Sequence, residues 1–176
     1  MSHEDIIKKL IAHYKLEPLR FEGGQFTQTY KSEELFKRQH LPERYSSNRA
    51  HGTAIIYLLT SDPDSFSSLH KLATDEIYHF YLGDPIQLLL LLPDGTSERV
   101  ILGPNILNGQ HVQYVVQKGT WQGSRLLPGG QYALLGCTMA PGFELEDFTP
   151  GQREELCNLY PQEAELVIQL TRANTK

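Results

Sequence analysis

The stretch Ser67–Pro85, SSLHKLATDEIYHFYLGDP, places a histidine at position 70, a glutamate at 76 and a glycine at 83. Residues two apart in a strand share a face. His70 therefore shares a face with Leu72, and Glu76 with Tyr78. Gly83, Asp84 and Pro85 supply the turn that ends the second strand. The stretch reads as two short strands that bring an imidazole and a carboxylate together.

A metal-binding strand pair of this spacing uses a His-x-His pair and a glutamate from the next strand. Here Leu72 stands where the second imidazole would be. His79 lies three residues from Glu76 and should face the other way, as should Asp75. Further on, VVQKGTWQGS (Val115–Ser124) keeps Gly119 but has Gln117 where a proline would stand and Gln122 where a last histidine would. The donor set shrinks to His70, Glu76 and the amide oxygen of Gln122. Transition metals favour imidazole, thiolate or carboxylate over a neutral amide, and catalytic zinc takes three firm protein ligands. The expectation is no metal cofactor; if one binds, those three residues hold it.

The same residues suit metal-free chemistry. A neutral histidine accepts a proton near pH 7, and a neighbouring carboxylate can orient the ring and stabilise its charged form. Tyr78 could donate a proton or stack on a ligand, and Phe80 and Trp121 could form an aromatic wall. The plainer alternative is that His70 is a hydrogen-bonded core residue and that the aromatics are packing.

Working outward, short apolar or alternating runs succeed one another from Thr53: TAIIYLLT, EIYHFYL, PIQLLLLL, SERVILG, HVQYVVQ and QYALLGCTMA. Gly, Pro and Asp turns separate them, which points to an antiparallel sandwich or barrel. PDG between LLLLL and SERVIL predicts a hairpin. The run Leu88–Leu92 does not alternate, so both its faces should be covered, by a terminal helix or a second subunit. Glu4–Tyr14 reads as an amphipathic helix capped by Ser2. Thr149 and Pro150 predict the start of one C-terminal helix, and Pro161 of another. Ser32–Gly52 is long and polar, as lids or disordered loops are. The boundaries expected are a helix over 1–17, a barrel over 18–148 and helices over 149–176, in one domain.

The chain has 176 residues and a formal net charge of −5, enough for one sizeable core and against a nucleic-acid partner, which needs a basic face. The densest basic cluster, KRQHLPER (Lys37–Arg44), is interrupted by Glu43 and reads as a solvated loop. No run reaches the ~20 apolar residues of a membrane span, and the N-terminus has no apolar leader core, so no membrane partner and a cytoplasmic location are expected. Cys137 and Cys157 form no CxxC; Cys137 reads as a small buried hydrophobe.

These residues resemble the cupin superfamily, most closely a single-domain branch of uncharacterised function. EGGQFTQTYKS, AIIYLLT, the opening stretch, VVQKGTWQGSRL, YALLGCTMAPGFELEDF and the closing LYP carry the resemblance. It implies an all-β fold with flanking helices, a double-stranded β-helix or jelly roll with a central pocket, and a homodimer formed through sheet contacts. The branch is similar to deoxysugar-nucleotide epimerases, in which a histidine acts as base without a metal and a tyrosine as acid. That carries over to His70 alone; Tyr78 and Tyr132 are candidates without a matching motif. The leading expectation is a metal-independent isomerase or epimerase acting on a carbohydrate or nucleotide-linked small molecule, with His70 as general base supported by Glu76. The alternatives are a non-catalytic small-ligand-binding module and a metal-dependent enzyme with a reduced ligand set.

Overall fold

A computed structural model describes residues 2–172; Met1 and residues 173–176, which fall within the expected terminal segments, lie outside the described residues. Helix α1 (His3–Tyr14) leads into β1 (Glu17–Pro18), β2 (Gln25–Lys31), β3 (Leu35–Phe36), β4 (Arg49–Ala50) and β5 (Thr53–Thr60). There follow β6 (Ser67–Leu72), β7 (Glu76–Gly83), β8 (Ile86–Leu91), β9 (Ser97–Leu102), β10 (Gln113–Val116), β11 (Trp121–Leu126) and β12 (Tyr132–Met139). The chain ends with β13 (Phe148–Pro150), α2 (Arg153–Leu159) and α3 (Ala164–Gln169). Eleven of these strands form two facing antiparallel sheets, ordered β1-β2-β5-β12-β7-β10 and β13-β6-β11-β8-β9, and β3 pairs with β4 in a separate two-stranded sheet. This is a jelly-roll β-sandwich with flanking helices, as the alternation of short strands and turns predicts.

The run at Leu88–Leu91 shows how the layers are held. Leu88 and Leu90 point into the core between the sheets, with Tyr57, Tyr78, Leu102 and Leu135. Leu89 and Leu91 point outward and are just as buried, against Leu156, Tyr160, Leu166, Val167 and Leu170. The chain's own C-terminal helices therefore cover the second face of β8, so that face does not call for a second copy. Arg99 locks them down by donating from Nε and Nη2 to Glu163 Oε2 at 3.0 and 2.7 Å. On the opposite side α1 lays Ile7, Leu10, Ile11 and Tyr14 against Leu58 and Leu134 of the six-stranded sheet. Ser2 caps this helix in a reciprocal pair with Asp5.

One expectation is corrected. Residues Phe148–Pro150 are strand, not the start of a helix: they pair with β6 in the register Phe148↔Leu72 and Pro150↔His70, and α2 begins only at Arg153. Proline is tolerated at such a sheet edge because its missing N–H faces away from the ladder. The segment 32–52, as long and polar as lids or disordered loops are, is largely exposed but carries β3 and β4 and is anchored by the buried Tyr45, Arg49 and Ala50. Arg49 has no exposed surface and donates from Nε and Nη2 to the two oxygens of Asp147 at 3.0 and 2.7 Å. Tyr45 lies under the guanidinium and its hydroxyl meets Thr74 Oγ1 at 2.7 Å. The loop is a buttress for the segment that runs into β13.

Leu89→Ala empties a fully buried site between β8 and the C-terminal helices, so a loss of about 2–5 kcal/mol is expected in urea denaturation. Arg49→Ala leaves Asp147 buried without its partner, and about 3–5 kcal/mol is the expected cost in the same measurement.

Candidate functional site

A cavity of about 620 Å³ opens at one end of the sandwich. The alternation of β6 and β7 turns His70, Leu72 and Glu76 into it, as the opening stretch predicts. Its walls are largely apolar, with Leu19, Phe26, Ile55, Met139, Phe143 and Leu145 around the polar floor.

The His70 ring is almost completely buried. Its Nδ1 lies 2.8 Å from the Ser68 carbonyl oxygen. A carbonyl only accepts, so Nδ1 carries the proton in the neutral ring and Nε2 is left with its lone pair. Nε2 faces Glu22, whose Oε2 is 4.0 Å away. Phe148 stacks on the ring at 4.9 Å with an interplanar angle of 19°. Asp147, the partner of Arg49, directly precedes Phe148 in the chain.

Glu76 is held differently from the expected pairing with His70. It makes no hydrogen bond or ion pair with the ring. Gln122 Nε2 donates to Glu76 Oε2 at 2.8 Å. Burial pushes the Glu76 carboxyl up to about 6 from its usual 4.5, and the charge of Glu22 pushes the same way; His70, the Cys137 thiol and the Gln122 amide pull against it. The orienting carboxylate nearest the imidazole is therefore Glu22, while Glu76 is a carboxyl that keeps its proton unusually well.

Glu22 and Cys137 are site residues that the sequence reading missed. Glu22 reaches β6 because Gly23 follows it with a φ of +119°, where a Cβ would sit 2.1 Å from the Phe66 carbonyl oxygen. Only glycine permits that approach. The turn also puts the Glu22 carbonyl against the Ser68 N–H at 3.0 Å and brings Ser67 Oγ to donate to Glu22 Oε1 at 2.5 Å. A glutamate beside a Gly-Gly bend was the available signal. Cys137 is buried as expected, yet it lines the cavity beside Glu76, and burial pushes its thiol well up. It serves as a neutral neighbour, not a thiolate.

Other candidates lie elsewhere. Tyr78 and Phe80 point inward but are packed in the core below the cavity, and burial raises the Tyr78 phenol well above its usual range. Trp121 neighbours an inward Gln122 and so faces outward, beside α2 and α3, with Lys71 Nζ 4.5 Å above its ring. It forms no wall of the site. Tyr132 sits on the outer face of β12 against α1 and has no access to the cavity.

The donors do not fit a resident transition metal. Leu72 fills the place of a second imidazole, Gln122 turns its amide nitrogen to Glu76, and among the described residues no three His, Cys, Asp or Glu side chains converge in metal-binding geometry.

Residues 8–150 match the family described as Cupin superfamily (DUF985). The chain belongs to the cupin superfamily. This cupin is 32% identical over 152 residues to the uncharacterized protein YML079W of Saccharomyces cerevisiae, a match covering 81% of this chain and 74% of that one. Among solved structures, protein SO0799 from Shewanella oneidensis is 29% identical with a TM-score of 0.83, over 95% of this chain and 98% of that one. A hypothetical protein from Leishmania major is also 29% identical, with a TM-score of 0.82, over 94% and 98%. A cupin 2 domain-containing protein from Halorhodospira halophila, at 12% identity and a TM-score of 0.51 over 86% and 85%, shares the fold alone. No helix among the described residues is long and apolar enough to cross a membrane.

A carboxyl raised from 4.5 to about 6 binds its proton more tightly in the folded protein than in the unfolded chain. Stability from this group is therefore greatest below pH ~4.5 and falls as pH rises through about 6. The penalty above that window is about 2 kcal/mol, at roughly 1.4 kcal/mol per pKa unit. Glu76→Gln is expected to flatten this part of the profile in urea denaturation followed across the window; an unchanged profile would place the titration elsewhere.

Proposed function

We propose that this cupin catalyses a metal-independent proton transfer on a small molecule, of the isomerase or epimerase type, at a carbon next to a carbonyl. The observation that carries this reading is the pairing in one cavity of an imidazole whose Nε2 is free with a carboxyl whose proton is retained to about pH 6.

The residues divide the work as follows. His70 Nε2 takes the proton from carbon, and the electron pair moves into the adjacent carbonyl. Glu76 gives its proton to the carbonyl oxygen, so the intermediate is a neutral enol and not an enolate. Glu22, anchored by Ser67, stabilises the imidazolium that forms. Return of the proton by His70 to the neighbouring carbon gives the isomer, and Glu76 recovers its own. General acid–base steps of this kind typically contribute ~10²–10⁴-fold. The apolar walls exclude water, which strengthens every electrostatic interaction on the floor.

The test does not depend on the identity of the product. Small ketones and aldehydes are incubated with the protein in deuterium oxide, and exchange at the carbon next to the carbonyl is followed by NMR. Wild type should catalyse exchange at a rate that falls as pH rises through about 6, where Glu76 loses its proton. His70→Ala should lose the exchange, and Glu76→Gln should be slow and without that pH dependence. Exchange unaffected by His70→Ala would remove the base from this scheme. Ligand binding with no exchange would favour the binding-module reading, which the same cavity also supports.

A further inference from the structure

We propose that the ligand of this cavity is an uncharged, largely apolar carbonyl compound, with a ring or branched alkyl body, and not a nucleotide-linked sugar. The proposal rests on the proton-transfer reading for its carbonyl head; the body is argued from the walls alone.

Charge is the first argument. The lining holds two carboxylates, Glu17 and Glu22, and the Glu76 carboxyl, against one lysine, Lys15. A nucleoside diphosphate carries its charge on a pyrophosphate, which proteins hold with arginine forks, lysines or helix N-termini. The helix at this mouth offers its other end. Lys15 is the C-cap of α1, in the left-handed conformation at φ +54°, so the carbonyl pole of the helix is the one beside the cavity. A dianion entering here would meet repulsion from three sides with a single lysine to offset it.

Hydrogen-bonding capacity is the second. A pyranose brings several hydroxyls, and each one buried without a partner costs about 1–3 kcal/mol. The lining side chains that can both donate to and accept from a hydroxyl are chiefly Thr27, Gln28 and Thr53, and Thr53 Oγ1 already accepts from the Phe143 N–H at 3.0 Å, while the carboxylates Glu17 and Glu22 only accept. Leu72 adds apolar surface to the cavity from the same strand as His70.

Shape is the third. Phe26, Ile55, Met139, Phe143 and Leu145 enclose a volume of about 620 Å³. That lies within the ~300–1,000 Å³ usual for small-molecule pockets, and aromatic and branched walls gain most from an apolar body. His70 and Glu22 meet in one part of the lining, with Glu76 on the same cavity, so one polar head suffices there.

The experiment compares benzylacetone with UDP-glucose as probes of the full-length chain, by thermal shift and by isothermal titration. Benzylacetone at millimolar concentration should raise the melting temperature saturably, and UDP-glucose should not. Phe143→Ser and Leu145→Ser, both at the mouth and outside the strands, should each weaken benzylacetone by about fivefold or more; if one fails to fold, the other still reads the wall. Stabilisation by UDP-glucose but not by benzylacetone overturns the proposal, as does benzylacetone binding that neither variant weakens, or no benzylacetone binding at all. The two readings fail separately. Benzylacetone that binds without deuterium exchange refutes the proton transfer and leaves the ligand class standing. Stabilisation by UDP-glucose alone, with the deuterium exchange of small ketones intact, does the reverse.

Discussion

Strand β8 is apolar on both faces, and the molecule is organised around covering it. A strand in a two-layer sandwich has one face in the core and one outside. Leu89 and Leu91 on the outer face would leave a patch in water if α2 and α3 did not dock there. That docking places β13 as well, because the chain must cross from β12 to α2 along the edge of β6, and β13 is the segment that does so. Phe148 then lies on His70. The strand that leads into the docked helices thus also carries the aromatic ring that lies on the imidazole.

The interior is unusual for being titratable. His70, Glu76, Cys137, Tyr57 and Tyr78 are all nearly inaccessible. Buried polar groups are tolerable when their hydrogen bonds are made. His70 is met by a backbone carbonyl, Glu76 by an amide side chain, and Tyr57 by donating to the Gly23 carbonyl oxygen at 2.9 Å. None of these partners is a cation. Glu76 therefore sits in the site without a salt bridge, and burial raises its proton affinity. The one fully buried arginine among the described residues, Arg49, is engaged away from the floor, on Asp147.

What the resemblance to sugar-nucleotide epimerases implied and what the walls offer point in different directions. His70 does line the cavity, as that resemblance led one to expect, and the walls around it are largely apolar. Fold and base can persist while the pocket around them is rebuilt, since function resides in the site and not in the architecture.

The sequence by itself determined the succession of strands, the inward face of β6 and β7, the double-sided burial of Leu88–Leu91 and the cap of α1, because each follows from a local period or from the conformational limits of one residue type. It also placed His70 and Glu76 in one cavity, since strand alternation leaves only two choices of face. Only the tertiary structure decided which groups those two side chains touch. Glu22 is 48 positions from His70, and Gln122 is 46 from Glu76; no local pattern reports such pairs. It also moved Trp121 and Tyr132 to outer faces and turned 148–150 from helix start to strand. Propensity allowed both forms at Pro150, and the free edge of β6, with its unpaired backbone groups, settled the matter.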